Sequence, residues 1–299
     1  MEFGKLNNID TVDFSMPAPD TCLLSNTPAS TLTIYYGCTG WSSKDWVGHW
    51  YPKGTKPSQF LEQYAKQFNT IELNTTHYRI PRAETMQLWY QSTPEGFQFC
   101  PKVPQSISHS KDLGLDNIKT RTFCNRMAIL REKLGVIFMQ CPPYFTSSSF
   151  PMLELFLRSF PTQSYPLAIE LRHKSWFDSN QQLEKLGNVL HKYNVSLLHT
   201  DVAGRRDVLH LKATNKVSLI RFVGNGLHPT DYERIDDWVF TIKKLYEAGQ
   251  DTIYFFSHQP DHSLEPELCI YFRNALEKIL PVSFSFFTEP VRDNQLKLF

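Results

Sequence analysis

Eight short apolar runs, separated for the most part by helix-length amphipathic stretches, narrow the folds open to this chain more than any other feature. They are LTIYYGC (32–38), TIELN (70–74), FQFCPKV (97–103), GVIFMQC (135–141), LAIELR (167–172), SLLHTD (196–201), VSLIRFV (217–223) and TIYFFS (252–257). Each has strand length and is rich in the β-branched and aromatic residues that suit a pleated surface. Segments 58–68, 82–92, 118–134, 181–193 and 230–249 instead place apolar residues at helical spacing. Strands alternating with helices imply βαβ units and a parallel sheet, and eight such units close into a (β/α)8 barrel. The expected fold is therefore α/β, a single TIM-like (β/α)8 barrel. With 299 residues and 41% hydrophobic content the chain can fill such a core, which needs roughly 250 residues.

Punctuation sets the boundaries. Residues 1–31 are rich in Asn, Ser, Thr, Pro and Asp without periodicity and read as an irregular arm, 32–281 as the barrel, and 282–299 as a tail. Pro57-Ser58 open the first helix, and Thr230 or Asp231 caps the helix that ends at Gly249. Segment 202–216 reads as a loop with a short extended piece, VLHLKA, in place of a helix. An open doubly wound sheet is the competing architecture, but no G-x-G-x-x-G follows the first run and no Walker loop occurs.

Thirty-one Lys and Arg balance 30 Asp and Glu, a net charge of +1. Such a chain is not a polyelectrolyte binder of nucleic acid or anionic membrane, so any nucleic-acid contact has to be local. No stretch approaches the roughly 18 apolar residues of a membrane span, and MEFGKLNNID lacks the pattern of a signal peptide. A cytoplasmic protein without a membrane partner is expected. The six cysteines, Cys22, Cys38, Cys100, Cys124, Cys141 and Cys269, form no C-x-x-C pair, which fits reduced thiols packed as small apolar residues. The alternative is a soft-metal site at Cys38, Cys100 and Cys141, near three strand ends.

Strand phase points to chemistry. In LAIELR the two-residue period puts Ala168, Glu170 and Arg172 on one face, and in TIELN it puts Glu72 with Asn74 on the matching face. Unpaired buried charge costs several kcal/mol, so these groups are either paired or functional. Position at the C-terminal strand ends, where barrel sites lie, favours function; an ion pair closing the lumen is the alternative. The candidate catalytic groups are Glu72, Glu170 and Asp201. The candidate substrate-binding groups are Trp41, Asn74, Tyr78, Lys102, Gln140, Arg172 and Arg221. Lys102, Arg172 and Arg221 can together hold a phosphate or carboxylate. The acids are left for acid/base work or for a divalent cation, although no motif specifies one. His109, His173 and His258 follow strand ends, as do Trp41, Trp46, Tyr78 and Trp176, which either stack on a sugar or base or pack the loops.

These residues sit in longer motifs: GCTGWSSKDWVG (37–48), FNTIELNTTHYR (68–79), FQFCPKVPQSISH (97–109), LGVIFMQCPP (134–143), AIELRHKSW (168–176), TDVAGRRD (200–207) and IRFVGN (220–225). Over about 32–281 the chain resembles the YecE-like domain-of-unknown-function family, number seventy-two in its series. The resemblance implies the same barrel and assigns no activity. Cys38 stands where that family more often has a small residue, and Ser257-His258 stand where its last strand commonly ends in Asn.

Two classes of function remain open. One is a hydrolase or lyase acting on a phosphate-bearing or nucleic-acid substrate, linked to DNA repair or replication. The other is a non-catalytic ligand-binding or adaptor barrel; a sugar-phosphate enzyme is a further alternative. The terminal Gln295-Leu296-Lys297-Leu298-Phe299 resembles the pentapeptide that docks bacterial repair and replication proteins on the DNA polymerase sliding clamp. Gln295, Leu296, Leu298 and Phe299 would be its anchors, unless the tail packs on its own body.

Overall fold

All eight apolar runs contain strands, and every ladder between them is parallel. The computed structural model describes residues 4–115, 118–280 and 282. The strands are β1 (Thr33–Gly37), β2 (Thr70–Leu73), β3 (Gln98–Pro101), β4 (Ile137–Gln140), β5 (Leu167–Glu170), β6 (Ser196–Leu197), β7 (His199–Asp201), β8 (Val217–Val223) and β9 (Thr252–His258). The sixth run is thus split at Leu198.

Three separate ladders result, β1-β9-β8-β7, β2-β3 and β4-β5-β6, and no single one closes on itself. Single hydrogen bonds link their neighbouring edges. Glu72 N donates to Cys38 O at 3.2 Å, Gly135 N to Phe99 O at 2.9 Å, and Val103 N to Phe138 O at 2.9 Å. The architecture described is therefore an α/β fold of parallel sheets, coarser than the continuous barrel expected. β1 can approach β2 this closely because residue 37 is glycine: a Cβ there would overlap the Thr70 carbonyl oxygen and the Tyr64 hydroxyl.

The helices are α1 (Phe60–Tyr64), α2 (Thr75–Tyr78), α3 (Ala83–Gln91), α4 (Gln105–Ser108), α5 (Ile118–Met127), α6 (Phe150–Ser159), α7 (Asn180–Lys192), α8 (Pro229–Glu247) and α9 (Glu265–Glu277). Among the described residues no helix is long and apolar enough to cross a membrane. The expected cap of α8 is corrected: His228 occupies that position, and its Nδ1 accepts the Thr230 amide at 3.3 Å. Pro57 does open the first helical turn, and the 202–216 segment contains only a 3-10 stretch, Ala203–Val208.

Strand alternation splits the core in two. Ile71, Leu73, Ile137, Met139, Ile169 and Leu197 join the helices in the large cluster, while Cys100, Phe138, Ala168, Leu198, Leu219, Tyr254 and Phe256 form a second one on the other strand face. Cys38, Cys100, Cys124, Cys141 and Cys269 are buried free thiols and Cys22 is exposed.

The arm is irregular but attached. Asp20 N donates to Leu211 O, Ala213 N to Asp20 O (both 2.9 Å), and Lys212 Nζ pairs with Asp20 at 2.7 Å. Nearer the start, Gly204 N donates to Gly4 O at 2.9 Å. The clamp-like residues Gln295, Leu296, Leu298 and Phe299 lie outside the described residues.

Candidate functional site

The second face of the strands changes character along its length. Its apolar cluster gives way at the C-terminal strand ends to Glu72 (β2), Lys102 (after β3), Gln140 (β4), Glu170 (β5), Arg172 (after β5), Arg221 (β8) and His258 (β9). The phase that buries Ala168 and Phe138 within that cluster also aims these polar groups at a common centre. Above them opens a cavity of about 1690 Å3.

Arg221 is the hub. Its Nε and Nη2 donate to the two carboxylate oxygens of Glu72, both at 2.9 Å, and its Nη1 donates to Glu170 Oε2 at 2.7 Å. Arg172 Nε takes the other Glu170 oxygen at 2.6 Å, and Asn74 Nδ2 donates to Glu72 Oε1 at 2.7 Å. His258 Nε2 stands 3.0 Å from Glu72 Oε2 and 3.2 Å from Arg221 Nη2, and as a donor it can serve only the carboxylate. Both acids are completely shielded from solvent as side chains.

Electrostatics follows from this geometry. Burial pushes the Glu72 carboxyl up, but Arg221 and then His258 outweigh it and hold its pKa well below the carboxylate range. Glu170 is likewise raised by burial and more strongly lowered by Arg172, Arg221 and Lys102, down to about 2. Both are therefore fixed anions at neutral pH. Lys102 differs. Its Nζ donates to a neutral acceptor, Gln140 Oε1, at 2.9 Å, and burial together with the nearby Arg221 brings its pKa down to about 8.

Of the groups expected from sequence, Glu72, Asn74, Lys102, Gln140, Glu170, Arg172 and Arg221 are brought together. Asp201 is not. Its carboxylate turns to the helix side, accepting Trp238 Nε1 at 2.8 Å and pairing with Arg234 at 2.9 Å and with Arg206. The reason is phase: Leu198 packs in the inner cluster and Thr200 lines the cavity, so the residue after Thr200 must face outward. Ser257, between Phe256 and His258, is on the outward phase as well.

The aromatic rim divides between the two expected roles, ligand-facing and packing. Tyr78 does line the cavity and is 82% exposed. Trp46 and Trp176 are buried core residues, Trp176 donating to Phe145 O at 2.7 Å. Trp41 packs edge-on to Trp89 and borders a neighbouring cavity of about 820 Å3, which meets the first at Asn74, Pro260 and His262. Sequence reasoning missed His77, the exposed Tyr144 and arm residues Gly4 to Asp10, all of which line the main cavity. The T-T-H-Y stretch after β2 could have signalled His77; nothing local could have signalled the arm.

Among the described residues no three His, Cys, Asp or Glu side chains gather as a metal site, including Cys38, Cys100 and Cys141. A cation at Glu72 and Glu170 would have to displace Arg221 from both.

Comparison with known proteins places the chain. It is 31% identical over 267 residues to the UPF0759 protein YecE of Escherichia coli K12, covering 83% of this chain and 94% of that one. It is 29% identical over 150 residues to UPF0759 protein YunF of Bacillus subtilis, covering 48% and 52%. A crystal structure of a DUF72 family protein from Enterococcus faecalis V583 superimposes with a TM-score of 0.68 at 20% identity, over 86% of this chain and 98% of that one. A second structure of that protein gives 0.64 at 22% identity, over 84% and 99%. With residues 35–285 also matching the family described as "Protein of unknown function DUF72", the chain belongs to the DUF72 family.

Proposed function

We propose that this protein is a cytoplasmic (β/α)8-type barrel whose mouth takes a small molecule carrying a phosphate or carboxylate group. The closure of the barrel is supported by the edge hydrogen bonds at Glu72, Gly135 and Val103, which join the three parallel ladders in strand order. The anion reading is carried by one observation. Two buried carboxylates face three cations at the cavity floor, and the arginines already satisfy the carboxylates, so Lys102 is left with a neutral partner. An incoming oxyanion completes the charge balance.

A lyase or hydrolase is favoured over a passive binder because the floor holds a group, Lys102, that can move a proton near neutral pH. His77, its pKa lowered to about 4 chiefly by burial, is neutral there; Nδ1–H donates to Val103 O at 2.9 Å, and Nε2 keeps a lone pair that can accept a hydrogen bond from a ligand. The site is a concave cavity and no basic stripe, so a nucleic-acid substrate would enter as a strand end or flipped nucleotide. A link to DNA repair or replication then rests on the clamp-like tail. Fluorescence anisotropy of a labelled 293–299 peptide against purified clamp tests it; no binding at about tens of micromolar ends it.

The test of the pocket itself is thermal unfolding in sodium phosphate against sodium chloride of equal ionic strength. Occupancy at about 100 times Kd stabilises by about 2.7 kcal/mol, a rise of several degrees. No phosphate-specific rise, or an equal rise in Lys102→Met, refutes the anion site. Turnover of sugar phosphates or damaged DNA by the wild type, absent in Glu170→Gln, separates an enzyme from a binder.

A further inference from the structure

We propose that Lys102 is a nucleophilic amine that condenses with an aldehyde or ketone whose carboxylate or phosphate balances the positive charge the nitrogen carries as ammonium and again as iminium. The substrate class rests on the anion-pocket reading; the choice of residue rests on placement.

The backbone around Lys102 is clamped from both sides. Its amide donates to Leu73 O at 3.2 Å, its carbonyl accepts Thr76 Oγ1 at 2.7 Å, and it bridges in parallel to Phe138. The side chain is thereby delivered into the cavity, lined below by the Phe138 ring 5.9 Å from Nζ. A lysine present only to neutralise buried acid would lie on a carboxylate. Here the oxygens of Glu72 and Glu170 are all engaged by Arg221, Arg172, Asn74 and His258, and the amine is steadied by the Gln140 amide.

This division of labour suits imine formation. Guanidinium groups remain charged and hold the two carboxylates, whereas a desolvated amine beside other cations can release its proton. With a pKa of about 8, roughly a tenth of Lys102 is neutral at pH 7, on the order of a hundredfold more than for an ordinary lysine. The neutral amine uses its lone pair to form a C–N bond to the carbonyl carbon, and the C=O π pair moves to oxygen. Proton transfer from nitrogen to oxygen yields a carbinolamine. Loss of that oxygen as water, with one further proton supplied to it, leaves the C=N iminium. The further proton comes from solvent, to which the cavity opens past the exposed Tyr78, and neutral His77 lines the same cavity as a hydrogen-bond acceptor. The iminium then withdraws electrons from the adjacent carbon, the requirement for C–C cleavage or enolisation in a lyase.

The experiment is reductive trapping on the full-length protein. Pyruvate and dihydroxyacetone phosphate are offered separately with sodium cyanoborohydride, whose hydride converts the C=N bond to a stable secondary amine. Acetone serves as the neutral carbonyl, and adducts are located by peptide mass spectrometry. The expected result is an adduct at Lys102 with at least one anionic probe, formed at pH 7 on the order of a hundredfold faster than at the exposed Lys66. Its rate should rise as the pH passes through about 8. Lys102→Arg, which keeps the charge, removes the adduct. No adduct at Lys102 with either probe, or labelling no faster than at Lys66, overturns the proposal. Mapping on the wild type makes this independent of whether a variant folds. Phosphate-dependent thermal unfolding on the same preparation keeps the two readings apart. Stabilisation without an adduct refutes the amine alone, while a Lys102 adduct that phosphate does not compete away supports the amine and removes the anion site.

Discussion

Replacing Arg221 by Met keeps the volume of the side chain but strands Glu72 and Glu170, both inaccessible as side chains and bonded to its guanidinium at 2.9 and 2.7 Å. The magnitude can be worked from Glu170. Its carboxyl is held at about 2 in place of 4.5, a depression worth about 3 kcal/mol at pH 7. Glu72 depends on Arg221 still more directly, since that guanidinium is the strongest influence lowering it. Arg172 and His258 remain as partial partners, so a loss of about 3–5 kcal/mol is expected at pH 7, the range for breaking a buried pair on one side. The pH profile should invert. In the wild type these carboxyls have depressed folded-state pKa values, so their stabilisation is present above about 4.5 and is lost as pH falls toward 2. Without Arg221, burial raises at least one of them, and the variant should gain stability relative to wild type as pH falls from 7 to about 4.5. Urea unfolding at pH 7, 6 and 5, with the triple variant Arg221→Met, Glu72→Gln, Glu170→Gln in parallel, reads both effects; the triple variant should recover most of the loss. A single variant within about 1 kcal/mol of wild type at pH 7, or one whose deficit does not change with pH, would show that the carboxylates do not depend on this arginine.

Asp201→Asn should destabilise by about 3 kcal/mol or more, because it weakens the buried pairing with Arg234 and Arg206, yet leave the phosphate-dependent rise in Tm unchanged; a lost rise would return Asp201 to the site. Gly37→Ala should cost several kcal/mol or prevent folding, since its Cβ meets the Thr70 carbonyl and the Tyr64 hydroxyl, and denaturant unfolding near wild-type stability would show the two strands can part cheaply. His199 is completely buried and neutral, its pKa lowered by burial to about 4, so its contribution of about 3 kcal/mol should disappear as pH falls from 6.5 to 4. His199→Gln should flatten the stability profile in that window, and an unchanged slope would assign the acid sensitivity elsewhere.

What could be read from sequence was whatever repeats along the chain. The eight apolar runs marked the strands because strand-length β-branched and aromatic segments bounded by helical periods have few other folds, and each run does contain paired parallel strand. The two-residue period inside LAIELR and TIELN was enough to turn Glu170, Arg172, Glu72 and Asn74 to one face, since charged and apolar residues alternate there without ambiguity. In SLLHTD the adjacent Leu197 and Leu198 carry no phase, and only packing could decide it: Leu198 entered the inner cluster, Leu197 the outer one, and Asp201 was thereby directed to Arg234 and Trp238. Contacts between distant segments left no local mark at all. That Arg221 grips Glu72 from 149 residues away, or that Gly4 to Asp10 border the cavity, follows from tertiary geometry alone. A side chain's period reports which face it occupies, whereas its partner is set by which strands the folded chain brings opposite one another.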